Sequence, residues 1–246
     1  MMSEKPMTKI FLPLLFLSFA SCAHKVTRQE AIATAYSYTQ VRWIPQARHM
    51  RHGPDSRGII VHTPDSTIAS QRGWWTPNVT AFSMPYQWGG FDTPETFAEK
   101  ISFGYKAGDI GDASKRKLGD AGVSHESCGI DCSGFVSRCW GLPRPYSTRQ
   151  LPEICVPIRW DELKAGDILL NNKHVVLFAR WVVPGKELTA YEAGPFPVWK
   201  VSACGLYKDR LLRDGYSPWR YKHIVDSKEF DYATMPGIEG KVILRE

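Results

Sequence analysis

The stretch GIDCSGFVSRCW, residues 129–140, sets a cysteine between an aspartate and a serine and follows it with a glycine and an apolar run. From Cys132 onward it reads as a helix. Phe135, Val136, Cys139 and Trp140 fall at i, i+1, i+4 and i+5, one stripe that would face a core, and Gly141 and Pro143 stop it. If Cys132 opens that helix, its sulfur lies near unpaired backbone N–H groups and the positive end of the helix dipole, which favours the thiolate. Asp131 fits the capping position. A carboxylate so close, however, disfavours a thiolate by like-charge repulsion. The stretch alone therefore leaves Cys132 as either a reactive thiol or a small hydrophobe, and a reactive thiol needs a histidine as base or imidazolium partner.

Seven histidines compete for that role. His24 lies close to the chain start. His49 and His52 are three apart, a spacing that can serve a metal on a helix, but HMRHGPD has no apolar face to carry one. His62, His125 and His223 have no motif around them. His174 differs: it opens the apolar strand HVVLFARWVV directly after the turn Asn171-Asn172-Lys173, and at a strand mouth it can meet a thiolate across a groove.

Outward from the cysteine, the periodicity divides the chain in two. Before it lie helical segments: TRQEAIATAYSYTQVRW (27–43), with Thr27 and Glu30 as a capping box, and a second helix opening at Thr93-Pro94-Glu95 and running through Ile101. Between them, residues 46–84 are rich in Gly, Pro, His and Thr. With GIIVHT as their one short strand they predict an irregular arm around the core. Gly104, Gly108, Gly111 and the basic Lys115-Arg116-Lys117 read as a flexible connection, either a solvated loop or a lid near a cleft. After Trp140 the period becomes that of strands: 167–170, 174–183, 188–192, 199–201 and 219–224. Helices first and antiparallel strands second is an α+β order.

The first residues read as an export signal: basic Lys5 and Lys9, an apolar run from Ile10 to Phe19, then Ala20-Ser21-Cys22. The small-small-Cys ending resembles a bacterial lipobox, which implies a signal over 1–21 and a lipidated Cys22 as first mature residue; an ordinary secretory signal is the alternative. Either way the chain is expected to leave the cytoplasm. Its charge of +6 over 246 residues suits an anionic surface such as cell wall or lipid headgroups. With no arginine-rich stripe, nucleic acid is not an expected partner. Cys22 aside, five cysteines remain, an odd number without a C-x-x-C pair, so at least one is expected unpaired and a structural zinc site is not expected.

Taken in order, DCSGF (131–135), AGDILL (165–170) and HVVLF (174–178) resemble the NlpC-type family of bacterial cell-wall cysteine peptidases. MPYQWGG (84–90) is similar to that family's Tyr-x-Trp-Gly-Gly segment, and LPRPYSTRQ (142–150) to its Leu-Pro-Arg-Ser-Thr-like stretch. The resemblance covers roughly residues 84–224 and implies a papain-like fold, with the nucleophile's helix on an antiparallel sheet and no cofactor. It implies Cys132 as nucleophile, His174 as general base, and Tyr86 and Trp88 beside the active site. Asp131 and Ser133 match residues tied to substrate recognition. Where the family usually has His, Asn or Gln to orient the base, the next strand here offers Glu192. Arg144 or Arg149 could receive an acidic stem peptide through a guanidinium–carboxylate pair. The expected organisation is an N-terminal helix and irregular arm over 22–83, a catalytic domain over 84–226 with an insertion at 91–128, and a tail over 227–246. The resemblance implies hydrolysis of an amide in peptidoglycan stem peptides, around D-glutamate, through a thioester. The alternatives are an amidase that separates sugar from L-alanine and a lipid-anchored binding protein without turnover.

Overall fold

The computed structural model describes residues 24–68, 73–194 and 198–226, together with the backbone of Ile243–Leu244. The predicted signal and Cys22, and most of the predicted tail, lie outside the described residues.

Thr27 and Glu30 form the expected capping box: the Thr27 N–H donates to Glu30 Oε2 at 2.8 Å and the Glu30 N–H to Thr27 Oγ1 at 3.1 Å. The helix they open, α1 (Arg28–Thr39), buries Ala31, Ile32, Ala35 and Tyr38. It stops short of the predicted Trp43. Arg42–Trp43 instead pair antiparallel with Ala81–Phe82, and the Trp43 indole donates to the Ser83 carbonyl. Helical spacing is a weak prior, and a sheet partner some forty residues away overrides it. The predicted GIIVHT strand exists as Ile60–His62, paired with His52–Pro54.

Thr93 caps α2 (Pro94–Ser102), with proline in the first turn as its sequence predicts. The expected flexible connection is ordered differently. It holds a third helix, α3 (Ala113–Leu118), capped by Asp112, and returns through Ser127–Cys128, which pair parallel with Lys106–Ala107. A buried ion pair explains the order, since Lys115 binds the Asp109 carboxylate with both side chains almost fully buried. The next helix, α4 (Cys132–Cys139), buries Phe135, Val136 and Cys139 as the stripe predicts.

The second half builds the sheet: β1 (Cys155–Pro157), β2 (Ile168–Leu170), β3 (Val175–Val183), β4 (Glu187–Ala193), β5 (Val201–Tyr207), β6 (Ser217–Tyr221) and β7 (Ile243–Leu244). Spatial order is β7-β5-β4-β3-β2-β6-β1; the first six strands pair antiparallel, and β7 runs parallel to β5 at one edge. Two short helices flank this order: α5 (Leu151–Ile154) leads directly into β1, and α6 (Lys208–Arg213) lies between β5 and β6. The fold is α+β, with α4 packed between α1 and strands β3 and β4. One continuous core joins α1, α2, α4 and the sheet, so the N-terminal helix is part of the domain. Among the described residues no helix is long and apolar enough to cross a membrane.

Candidate active site

Cys132 is the first residue of α4, where its N–H has no intrahelical acceptor. Asp131 is the N-cap. Its Oδ1 accepts the Gly134 N–H at 2.6 Å and the Ser133 hydroxyl at 3.1 Å, and its Oδ2 accepts the Gly89 N–H at 3.1 Å. The carboxylate is thus spent on backbone donors as well as on the helix start. Burial pushes the Asp131 carboxyl up from its ordinary value while those three donors pull it down.

The Gly89 bond also fastens segment 85–90 against the helix mouth. Ile130 donates to the Pro85 carbonyl, Gln87 to that of Ile130, and Asp131 to that of Gly90. Two glycines make this approach possible. A Cβ on Gly134 would stand 2.4 Å from the Gly90 oxygen, and one on Gly129, at φ +146°, 2.4 Å from the Pro85 oxygen. Tyr86 is thereby placed beside Cys132 despite the long insertion. Burial foremost, then the negative charge at Cys132 and Asp131, holds the Tyr86 hydroxyl protonated well above its ordinary range. Its N–H donates to the Trp199 carbonyl at 2.9 Å, and the two rings lie 5.5 Å apart. Trp88 is half-buried, with its indole over Gly111, where a Cβ would come within 2.5 Å of the ring.

His174 precedes β3 and is fixed by the turn before it. Its N–H donates to Asn171 Oδ1 at 2.8 Å, and the Asn171 N–H to the His174 carbonyl at 3.0 Å. Its Nε2 lies 2.6 Å from Glu192 Oε2, which leaves Nδ1 to face Cys132, the other side-chain partner of the ring. Burial presses this imidazole toward neutrality. The charge at Cys132, the hydrogen bond with Cys132, and the bond and charge of Glu192 outweigh it and push the pKa up to about 10. Glu192 itself is 1% exposed, so its carboxylate is shielded from water while it holds the ring.

Glu192 reaches His174 through two register shifts. At the turn Val183 pairs with Glu187, a register that would set Glu192 opposite Phe178, four residues beyond His174. Shifts between Phe178 and Arg180 and between Trp181 and Val183 move the pairing to Leu177 with Tyr191. Glu192 thus comes opposite Val176, diagonal to His174. A single shift would have turned it to the other face.

The fold brings Cys132, His174, Glu192, Tyr86, Asp131 and Ser133 together, with Trp88 at the flank. Arg144 and Arg149 are exposed, and no hydrogen bond or ion pair ties either to this centre; Arg144 lies over the Tyr146 ring at 4.1 Å. Sequence reasoning passed over Trp199, whose φ of 50° is unusual for an aromatic residue and whose carbonyl receives both the Tyr86 N–H and the Trp74 indole. It also passed over Asp92, which accepts the Gly129 N–H at 2.9 Å and Lys100 at 2.6 Å, fixing the glycine behind the cysteine. Neither has a local motif. The backbone strain and the buried acceptor exist only in the fold.

The other cysteines are of a different kind. Burial raises the thiols of Cys128 and Cys139 well above their ordinary range and that of Cys155 to about 12, and Cys204 donates its thiol to the Ala190 carbonyl. Chemically, the centre offers a sulfur nucleophile at a helix mouth, a histidine held by a buried carboxylate, and two hydrogen-bond donors, the Cys132 N–H and the Tyr86 hydroxyl. No protein-family model matches the chain, and no curated protein matches it in sequence.

Proposed function

We propose that the chain is an exported cysteine hydrolase of papain-like architecture that cleaves amide bonds in peptidoglycan stem peptides. The observation that carries the reading is His174 held between Cys132 and the Glu192 carboxylate, 2.6 Å from its Nε2. In this reading the Cys132 sulfur adds to the carbonyl carbon, and the oxyanion is received by the Cys132 N–H and the Tyr86 hydroxyl. His174 passes its proton to the departing amine, leaving a thioester. It then takes a proton from the water that hydrolyses that thioester. Glu192 keeps the ring oriented and stabilises its charged form, as a carboxylate does in a serine triad. The polypeptide itself supplies nucleophile, acid–base group and oxyanion donors, so the reading needs no cofactor.

The substrate class follows from the family resemblance of the motifs, from the export signal, and from a net charge of +6, which suits an anionic wall. The D-glutamyl to diamino acid bond is the one that resemblance favours. A lipid on Cys22 would hold the enzyme at the membrane facing that wall. Wild type and Cys132→Ala incubated with purified peptidoglycan test the proposal, with products separated by liquid chromatography and mass spectrometry. Shortened stems from wild type alone are expected. Free lactyl-peptides would assign the sugar-proximal amide instead, and identical digests from both proteins would leave the enzymatic reading without support.

A further inference from the structure

We propose that Trp74, in the N-terminal arm, is a positioning residue of the active site: its indole N–H holds the Trp199 carbonyl in the orientation that fixes Tyr86 beside Cys132. The kinetic half of this inference rests on the hydrolase reading above; the latch itself does not.

Tyr86 is gripped from two sides. The Asp109 N–H donates to its carbonyl, and its own N–H donates to the Trp199 carbonyl, both at 2.9 Å. Around that second bond the Val201 N–H donates to the Met84 carbonyl at 2.9 Å, and Pro85 and Lys200 form an antiparallel bridge. Between these pairings Trp199 turns to a φ of 50°, a left-handed conformation that a tryptophan keeps only where its surroundings impose it. Its ring is 6% exposed and packs against the Tyr86 ring at a tilt of 60°. The turn that presents the carbonyl therefore also sets the aromatic wall behind Tyr86.

Part of what imposes the turn comes from the arm. The half-buried Trp74 donates its indole N–H to the same carbonyl at 2.8 Å, and the Lys200 ammonium lies over the Trp74 ring, 4.8 Å from its centre. The arm aims that indole closely. The Trp74 N–H donates to the Pro64 carbonyl at 3.0 Å and the Ser66 N–H to the Trp75 carbonyl at 2.8 Å, while the Trp43 and Trp74 rings meet edge to face at 6.2 Å. Gly73 permits the approach, since a Cβ there would stand 1.5 Å from the Asp65 oxygen. Trp75, next along, is buried against Trp43 and anchors the segment in the core. A residue outside every active-site motif thus lies two hydrogen bonds from the Tyr86 backbone. Without its donor the strained carbonyl has less to hold it, and the proposed oxyanion donor loses its fixed place.

Hydrogen exchange followed by NMR reads the latch without any substrate. In Trp74→Phe, which keeps a ring and loses the donor, the Tyr86 amide should exchange about tenfold faster than in wild type. The Phe135 amide, bonded to the Asp131 carbonyl within α4, should keep its protection. Lys200→Met keeps the indole and removes the cation over it; it should speed Tyr86 exchange about threefold, and it stands in should Trp74→Phe fail to fold. In turnover of a stem peptide, Trp74→Phe should lower kcat about tenfold and leave KM within about twofold, as loss of a transition-state contact does. In a Tyr86→Phe background the same substitution should change kcat by less than about twofold, because the group it acts through is gone. Unchanged Tyr86 exchange in both variants would overturn the latch. An equal loss of kcat with and without the Tyr86 hydroxyl would overturn the positioning role. Should wild type turn over no stem peptide, the hydrolase reading fails while the exchange rates still decide the latch.

Discussion

At the scale of single residues, the centre depends on one proton. His174 carries it up to a pKa of about 10, where an ordinary imidazole gives it up near 6.5. The causes that raise it, Cys132 first and Glu192 next, both favour the charged ring, so removing either must move its titration down. In the proposed mechanism the imidazolium is the acid for amine departure, so the alkaline limb of kcat/KM is expected well above the ordinary histidine range. Glu192→Gln should shift that limb to lower pH by about 1–2 units. It should also lower kcat/KM on the order of a hundredfold, while the ring keeps an acceptor in the glutamine carbonyl. A pH–rate profile of both proteins checks the sign, and a limb that stays in place would remove Glu192 from the mechanism. Cys132, Asp131 and His174 were legible in the sequence because each announces itself locally, by a cap, a helix start or a strand mouth. Glu192 could be named from its strand, but its meeting with His174 depends on two register shifts that no local pattern encodes.

Among the elements, the helix starts were the most readable, since Thr27, Thr93 and Asp131 each cap the helix their sequence predicts. The ends and the short strands were not. Pairing with Ala81–Phe82 takes Arg42–Trp43 out of α1, and β1, three residues with a proline, has too little pattern to announce itself. Close approach was equally silent. Gly134 lies within α4, where alanine ordinarily stabilises a helix by about 1 kcal/mol. Here the added methyl would meet the Gly90 carbonyl at 2.4 Å and Asp131 Oδ1 at 3.0 Å. Gly134→Ala is therefore expected to destabilise the protein by about 1–3 kcal/mol, the sign reversed by overpacking. By moving segment 85–90 off the helix mouth it should also cut turnover with Cys132 and His174 both intact. Urea midpoints together with turnover of stem peptides test this, and a more stable, fully active variant would contradict the packing described.

For the whole molecule, the predicted boundary between arm and catalytic domain does not separate two cores. Arg28, at the start of α1 and 5% exposed, donates to the Ala165 carbonyl at 2.6 Å, to Asp167 at 3.0 Å and to Asp226 at 2.5 Å. Asp167 also receives Arg220 and the Lys164 N–H, so the AGDILL motif is a structural hub just ahead of the strands that present His174. The sequence shows a motif there; its partners come from residues 28 and 220, which only the fold brings near. Arg28→Ala should cost about 3 kcal/mol by leaving buried acceptors short of their cation. Unfolding should remain a single transition by circular dichroism and by tryptophan fluorescence, whereas a separable arm would give two. The thiols carry a last consequence. Cys128, Cys132, Cys139 and Cys155 are free, and Cys204 still donates its S–H, so the described fold contains no covalent cross-link to be made or sorted. The described fold therefore forms without oxidation of its thiols, and a reductant added to the finished protein has nothing in the described fold to cut.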